Sequence, residues 1–346
     1  MPYIEALRKS AEVTTMATGE GVDLPILFDK HFFSLANLRS IFQIRKILKR
    51  ERYDAVLLHT TLAAFLVRSA MIGMRHRPYV LNVVHGYLFS KETNGLKDRI
   101  MLLCEKLLRN KTDDIAVMNA EDLEIAQAHR LCRGKIEFID GMGVDGFMQV
   151  PPPDTVLRAA FVTEQDELLC TFVGELSPRK NQIFLIRAFK KLREEGIPAR
   201  LLLVGEGGER ETLENEIAAL SMENAVFLVG NREPVTPYLA ISDLYVSASR
   251  SEGLPFNIME AMFCGLPIIA SATKGQTDLL SDTPECLYPL DDTDAFCQLV
   301  KSVYAEQHYG VGTRLYPKLS QYRLSAVFEK NMKVLTKGWR KKEASE

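Results

Sequence analysis

Two glutamates separated by seven residues, Glu252 and Glu260, mark the part of the chain with the most chemistry, the stretch SASRSEGLPFNIMEAMFCGLPIIAS from Ser247 to Ser271. It reads as a strand end, a loop, a short helix, a glycine stop and another strand. Such a loop at the carboxyl end of a parallel strand is where open α/β sheets hold ligands. The backbone amides of residues 254–257 open the helix, and first-turn N–H groups, which lack internal acceptors, attract anions. Glu260 is suited to accept from ribose hydroxyls, and Glu252 to stand beside a sugar. Diphosphate donors, a ribose acceptor and a second carboxylate are together what a nucleotide diphosphate sugar requires. A plain capping box is the competing explanation, because Asn257 is followed three residues later by Glu260.

The scaffold that must position these groups is written in alternating apolar runs and amphipathic segments, the pattern of strands and crossover helices in a parallel sheet. The first half predicts strands over 12–17, 54–60, 79–85, 114–118 and 135–139. A helix over 38–52 sets Leu38, Ile41, Phe42, Ile44, Ile47 and Leu48 opposite Arg45, Lys46, Lys49 and Arg50. The triple proline at 151–153 follows the glycine-rich turn at 141–146, which places a domain boundary at 150. The second half predicts strands over 168–174, 199–205, 225–229, 243–248 and 267–271, with helices over 182–195 and 209–220 among the segments that follow them. A final helix over 323–339 is set apart from the 151–322 domain as a segment able to pack back across the junction.

At 346 residues the chain suits two α/β domains. Its composition, 47% hydrophobic and 25% charged, is ordinary for a globular protein. The net charge of -2 gives no field for nucleic acid, although residues 1–150 carry about +3 and the remainder about -5. Six scattered cysteines have no C-x-x-C pair or histidine partners at zinc spacing, so they read as thiols of a reducing cytosol and no metal site is expected. No apolar run approaches the length of a membrane span, and the N-terminus has no signal-peptide core.

The Glu252–Glu260 stretch resembles the signature of retaining glycosyltransferases of family four, E-x-x-x-x-x-x-x-E before A-M-x-x-G-x-P-x-I-A-S. Glu252, Glu260, Ala261, Met262, Gly265, Pro267, Ile269, Ala270 and Ser271 all fall in place. The resemblance implies an α/β GT-B fold, two Rossmann-like doubly wound domains facing across a cleft: residues 1–150 for the acceptor and 151–322 for the donor. It makes VGELSPRKNQ the phosphate-binding loop, with Lys180 as diphosphate ligand and Arg179 beside it. Gly253, Leu254, Pro255 and Phe256 would line the donor, and Asn231 and Arg232 would lie near the nucleotide. Many family members carry arginine where Glu175 stands here, and the Gly-Glu-Leu form resembles a subgroup that builds bacterial capsular and exopolysaccharides. In LLLVGEGGERETLE, Gly205 and Gly207 would allow a tight turn, with Glu206 as readily exposed as functional. His85, at the end of a strand in LNVVHGYLFS, matches a histidine that family members place close to the donor sugar, and His59 ends another strand. The turn GMGVDGF resembles the exit from the first domain.

Family members open with an apolar strand and a glycine-bearing loop, whereas MPYIEALRKSAEV begins with what resembles the helix after them. The resemblance thus predicts an N-terminal domain without its first strand, and a chain that folds poorly and turns over weakly unless extended upstream. Buried backbone groups left unpaired cost about 1–3 kcal/mol each.

The implied activity is transfer of a hexosyl or N-acetylhexosaminyl group from a nucleotide diphosphate sugar, with UDP favoured, to a glycan or polyprenyl-linked acceptor with retention and without metal or other cofactor. Glu252, Lys180 and His85 would be its catalytic residues, with a same-face attack assisted by the departing phosphate. The setting would be the cytoplasm, with peripheral contact at the inner face of the membrane through the basic 45–52 segment, which is also readable as an ordinary solvated helix. Two rival functions remain open. An epimerase of the same architecture would consume donor without acceptor, and a binding subunit would hold UDP without turnover.

Overall fold

The computed structural model describes residues 2–29, 32, 34–91, 95–144, 150–164, 166–306 and 316–343. The chain divides into two compact units, Met1–Gly143 with Leu324–Glu346, and Val144–Arg323. This division falls after Gly143 rather than at 150, because Val144 is already tied to the second unit by a backbone bond to Tyr322 and a bridge to Arg323. Residues 145–147 of the predicted exit turn lie outside the described residues.

The first unit runs α1 (Pro2–Arg8), β1 (Met16–Ala17), β2 (Leu24–Pro25), α2 (Leu35–Glu51), β3 (Ala55–His59), α3 (Thr61–Ala70), β4 (Tyr79–Val84), α4 (Leu96–Leu108), β5 (Asp114–Val117), α5 (Ala120–His129) and β6 (Ile136–Phe138). The second runs α6 (Thr155–Ala159), β7 (Leu168–Val173), α7 (Gln182–Glu194), β8 (Ala199–Val204), α8 (Arg210–Ala219), β9 (Val226–Gly230), α9 (Thr236–Ala240), β10 (Leu244–Ser247), α10 (Phe256–Phe263), β11 (Ile268–Ser271), α11 (Gln276–Leu279), β12 (Leu287–Tyr288) and α12 (Thr293–Glu306). The last helix, α13 (Leu324–Glu343), returns to the first unit.

In the second unit a six-stranded parallel sheet has the order β12-β11-β10-β7-β8-β9. Every residue of β7 is buried, which is why it reads as an unbroken apolar run rather than an alternating one. The chain winds outward from β7 in one direction, then crosses to β10 and winds in the other. The reversal between β7 and β10 opens a crevice at their carboxyl ends, the usual ligand position in such sheets. Phe184, Leu185, Phe189 and Leu192 of α7 pack with Tyr288 and Phe296 in the core below it.

The first unit holds a four-stranded parallel sheet, β3-β4-β5-β6, and a separate parallel pair, β1-β2. Among the described strands β3 pairs on one side only, with β4. The strand expected over 12–17 shrinks to Met16–Ala17 because the amide and hydroxyl of Thr15 bond to the Asp23 carboxylate, 2.7 and 2.8 Å, instead of a neighbouring strand. β2 and β12, two residues each, escape any periodicity argument. On α2 the buried set is Asn37, Ser40, Ile44, Ile47 and Leu48, so Leu38 and Phe42, expected in the apolar stripe, face outward. The asparagine takes the inner place because its amide caps backbone groups at residues 29 and 32.

α13 is held by the buried Asn331, whose Nδ2 donates to the Gly141 carbonyl at 2.7 Å and the Tyr3 hydroxyl at 2.9 Å. Farther along, a Cβ on Gly338 would stand 2.0 Å from the Tyr79 ring, so only glycine lets α13 pass there. α3 and α4 are locked by a bidentate pair, Arg68 to Glu105 at 2.6 and 2.7 Å, with the side chains 0% and 5% exposed. Nothing in the sequence pointed to this pair, since an arginine and a glutamate on separate amphipathic helices ordinarily face water. Removing one member of such a pair strands a buried charge. Glu105→Ala should therefore destabilise the chain by about 3–5 kcal/mol, read as a lower urea midpoint. A loss under about 1 kcal/mol would mean the pair is dispensable.

Candidate active site

The loops that follow β7 and β10 meet at the crevice, and glycines seat each of them against its other neighbour, the loop after β8 and the loop after β11. Gly174 ends β7 at φ 154°, and Gly205, at φ 147°, ends β8 beside it. A Cβ on Gly205 would stand 2.0 Å from the Gly174 carbonyl oxygen, and one on Gly207 would stand 2.2 Å from that of Leu176. The backbone then turns through residues 175–181, where Gln182 Nε2 donates to the Glu175 carbonyl at 2.7 Å. Arg179 and Lys180 arrive at the mouth of α7 as a result.

The second loop, between β10 and α10, carries Glu252. Its base is the Ser249 carbonyl, which accepts from Ser271 Oγ, Thr273 Oγ1 and Gln276 Nε2 at 2.7, 2.9 and 3.1 Å. Gly275, at φ 77°, lets the 272–276 backbone lie against residues 252–253, where a Cβ would meet the Gly253 carbonyl oxygen at 2.6 Å. Sequence reasoning missed Ser249, Gly275 and Gln276, although the last two lie just beyond the quoted tail in Ala-Ser-Ala-Thr-Lys-Gly-Gln.

Lys180 Nζ donates to Glu252 Oε1 at 2.7 Å, and Arg179 Nη1 donates to Oε2 at 2.9 Å and to the Ser251 carbonyl at 3.0 Å. The Lys180 and Glu252 side chains are each 9% exposed. Burial alone would push the Glu252 carboxyl up, but the charges of Lys180 and Arg179 outweigh it and hold the group below the ordinary glutamate range. Beside them Arg250 pairs with Asp291 at 2.7 Å and reaches Asn181 Oδ1 at 3.2 Å, tying both loops to the residues after β12.

α10 begins at Phe256 with Pro255 as its N-cap, and no side chain caps it. The capping-box reading of Asn257 and Glu260 therefore fails. Asn257 lies inside the first turn, and its Nδ2 donates to the Val173 carbonyl at 2.8 Å, which fastens α10 to the end of β7. The amides of Phe256 and Asn257 donate to no acceptor among the described residues. Leu254 and Pro255 are buried, and Phe256 is partly exposed. Glu260 is half-buried and accepts no hydrogen bond among the described residues, and burial pushes its carboxyl up to about 7.

Asn231 and Arg232 lie exposed after β9, and no hydrogen bond or ion pair joins either to the Lys180–Glu252 cluster. Glu206 pairs with Arg210 at 2.9 Å. In the first unit His59 and His85 come together at the ends of β3 and β4, Nδ1 to Nε2 at 2.9 Å. Burial and the neighbouring His85 push His59 down to about 4, and burial pushes His85 down. Neutral rings suit such a bond, since one must donate and the other accept. A cavity of about 430 Å³ at the amino ends of β4 and β5 is lined by Arg77, Asp113, Asp114 and Arg133. Its charges are largely spent on one another, as in the Arg77–Asp113 pair, so it is not the candidate site. All six cysteines are free thiols.

The two glutamates should titrate oppositely. Glu260 keeps its proton to about pH 7 in the folded chain. Unfolded, it loses it near the ordinary value, so stability falls as pH rises through that window. Glu252, depressed when folded, contributes stability above its unfolded value that is lost as pH falls through the folded one. Glu260→Gln has no proton to lose and should gain on the unaltered protein between about pH 5 and about pH 8. Urea unfolding at both pH values reads the difference, and a constant offset would contradict the raised carboxyl.

Comparison with known proteins identifies the family and the fold. Residues 10–140 match the glycosyl transferase 4-like domain and residues 154–315 match glycosyl transferases group 1. EpsD of Bacillus subtilis (strain 168), named as a glycosyltransferase, is 28% identical over 88% of this chain and 83% of its own. An Escherichia coli enzyme, UDP-Gal:alpha-D-GlcNAc-diphosphoundecaprenol alpha-1,3-galactosyltransferase, is 26% identical over 76% of this chain and 69% of its own. Among solved structures, Anabaena Alr3699/HepE, in complex with UDP and glucose, superposes with a TM-score of 0.69 at 18% identity, covering 91% of this chain and 86% of that one. Sucrose-phosphate synthase from Thermosynechococcus elongatus gives 0.70 at 22%, covering 94% and 82%. These two share the GT-B fold of paired Rossmann-like domains. With both halves matched, the chain belongs to the group 1, family-four glycosyltransferases and is a hexosyltransferase that uses a nucleotide sugar.

Proposed function

We propose that the protein transfers a hexosyl or N-acetylhexosaminyl group from a UDP-sugar, with retention, to a glycan or polyprenyl-linked acceptor of a bacterial surface polysaccharide, at the cytoplasmic face of the membrane. The observation that carries the reading is the Glu252 carboxylate held by Lys180 and Arg179 beside the open amides of α10. A diphosphate seated there would draw on the same two cations and on the Phe256 and Asn257 amides. Fixed positive charge aimed at the leaving diphosphate stabilises the negative charge that grows as the anomeric bond breaks. This reading assigns that task to side chains and requires no metal ion. Glu260, which accepts no hydrogen bond among the described residues, would accept from the ribose hydroxyls, and Glu252 would face the sugar. Neutral His85, bonded to His59, keeps the role toward the donor sugar that the family resemblance implies. Attack on the face the nucleotide leaves, with the departing phosphate oxygen taking the acceptor proton, gives retention without a covalent enzyme intermediate.

The polyprenyl-linked acceptor is supported by the E. coli relative, whose name gives a diphosphoundecaprenol acceptor. UDP is supported by the same name and by the UDP-bound neighbour. No helix among the described residues is long and apolar enough to cross a membrane, so contact with a lipid-linked acceptor calls for peripheral attachment.

Lys180→Ala should weaken UDP binding by roughly 10- to 100-fold, the loss of one charge-assisted contact, and Glu260→Gln by about tenfold. Isothermal calorimetry with UDP reads both, and unchanged affinity in both variants would remove the basis of the assignment. Donor consumption should require acceptor and persist in EDTA. Consumption without acceptor would point to an epimerase, UDP binding without turnover to a binding subunit, and an inverted product by NMR would overturn retention.

A further inference from the structure

α4 presents an apolar stripe to solvent. Leu96, Ile100, Leu103 and Leu107 are 76%, 36%, 54% and 71% exposed. At about 100° per residue they fall within an arc of about 60°. The opposite side of the helix, Met101, Glu105 and Leu108, is buried. The bidentate bond of Glu105 to Arg68 sets the helix's rotation, so the leucines are held outward by a buried ion pair and are not core residues turned out by chance. Polar residues would ordinarily fill such positions.

Cations border the stripe: Lys97, Arg99 and Lys106 on α4, then Arg109 and Lys111 in the turn that follows it. None of the five forms an ion pair among the described residues. The acidic side chains of α4 are Asp98 in its first turn and Glu105, which is spent on Arg68. By contrast Arg45 of α2, in the basic segment that the sequence suggested for membrane contact, donates to the carbonyls of Ala70 and Ile72 at 2.7 and 2.6 Å.

We propose that α4 is the protein's membrane-docking element, lying in the interface of an anionic bilayer with Leu96, Ile100, Leu103 and Leu107 among the acyl chains and its flanking cations on the headgroups. An interfacial helix requires this combination of a narrow apolar face and basic borders. Each cation close to an anionic surface adds attraction that salt screens. A second copy of the chain fits less well, because two such faces would bring their unneutralised cations together. The proposal rests on the lipid-linked acceptor reading and names the surface through which the enzyme would reach it.

Sedimentation of the full chain with vesicles tests it, using phosphatidylcholine alone and with about 30 mol% phosphatidylglycerol. The unaltered protein should sediment with the anionic vesicles and be released as sodium chloride is raised. Leu103→Ser/Leu107→Ser, at exposed positions the fold does not use, should lower partitioning roughly tenfold or more. Arg99→Ala/Lys106→Ala should weaken the preference for phosphatidylglycerol, and both proteins should bind UDP as the unaltered chain does. Equal sedimentation with both vesicle types, unchanged partitioning of both variants, or a dimer in sedimentation velocity that the leucine variant abolishes would each overturn the proposal. Failure of the unaltered chain to bind UDP would instead sink the donor-site reading, and the vesicle result would stand by itself.

Discussion

A carboxylate buried to 9% exposure cannot stay ionised without partners, and Glu252 has two cations, Lys180 and Arg179. The second unit is arranged around that requirement. The cations stand on the loop after β7 and the carboxylate on the loop after β10, and the reversal of strand order makes these two strands neighbours. Close backbone approach then supports each loop from its far side, the loop after β8 against the first and the loop after β11 against the second, and a Cβ at Gly205, Gly207 or Gly275 would block it. The Ser249 carbonyl, with its three side-chain donors, keeps the β10 loop from relaxing away.

Glu260 lies within α10, eight residues on, and meets a different environment. It has burial without compensation, so its carboxyl rises to about 7 while that of Glu252 falls. Two chemically identical groups in one motif are thus separated in character by what surrounds them. Glu252 is ionised throughout the physiological range and serves as a fixed charge. Glu260 is close to balance between its two forms, so a ligand that donates to it favours the ionised one and releases a proton.

The N-terminal unit solves a different problem. Its sheet is small, and two devices supply rigidity: the Arg68–Glu105 pair between α3 and α4, and the Asn331 contacts that hold α13 to Tyr3 and Gly141. Thr60, just after His59, has φ 69°, a conformation unfavourable for a β-branched side chain. Strain of this kind persists where the surroundings impose it, and here it accompanies the paired histidines.

The sequence by itself determined the α/β class, the long buried strands, the glutamate pair and the lysine loop. Their cues are local: apolar runs, glycine stops and fixed spacing survive in one dimension. It did not determine how short β1 is, nor β2 and β12, whose two-residue pairings leave no period to read, nor the outward turn of Leu38 and Phe42, since an apolar residue does not announce which side will be covered. Only the tertiary structure decided that Asn257 fastens a strand end rather than capping a helix, that His59 meets His85, and that Glu252 rather than Glu260 receives the cations. Each of those outcomes depends on residues far apart in the chain, brought together by strand order and backbone clearance, and their electrostatics follow from burial that no single segment encodes.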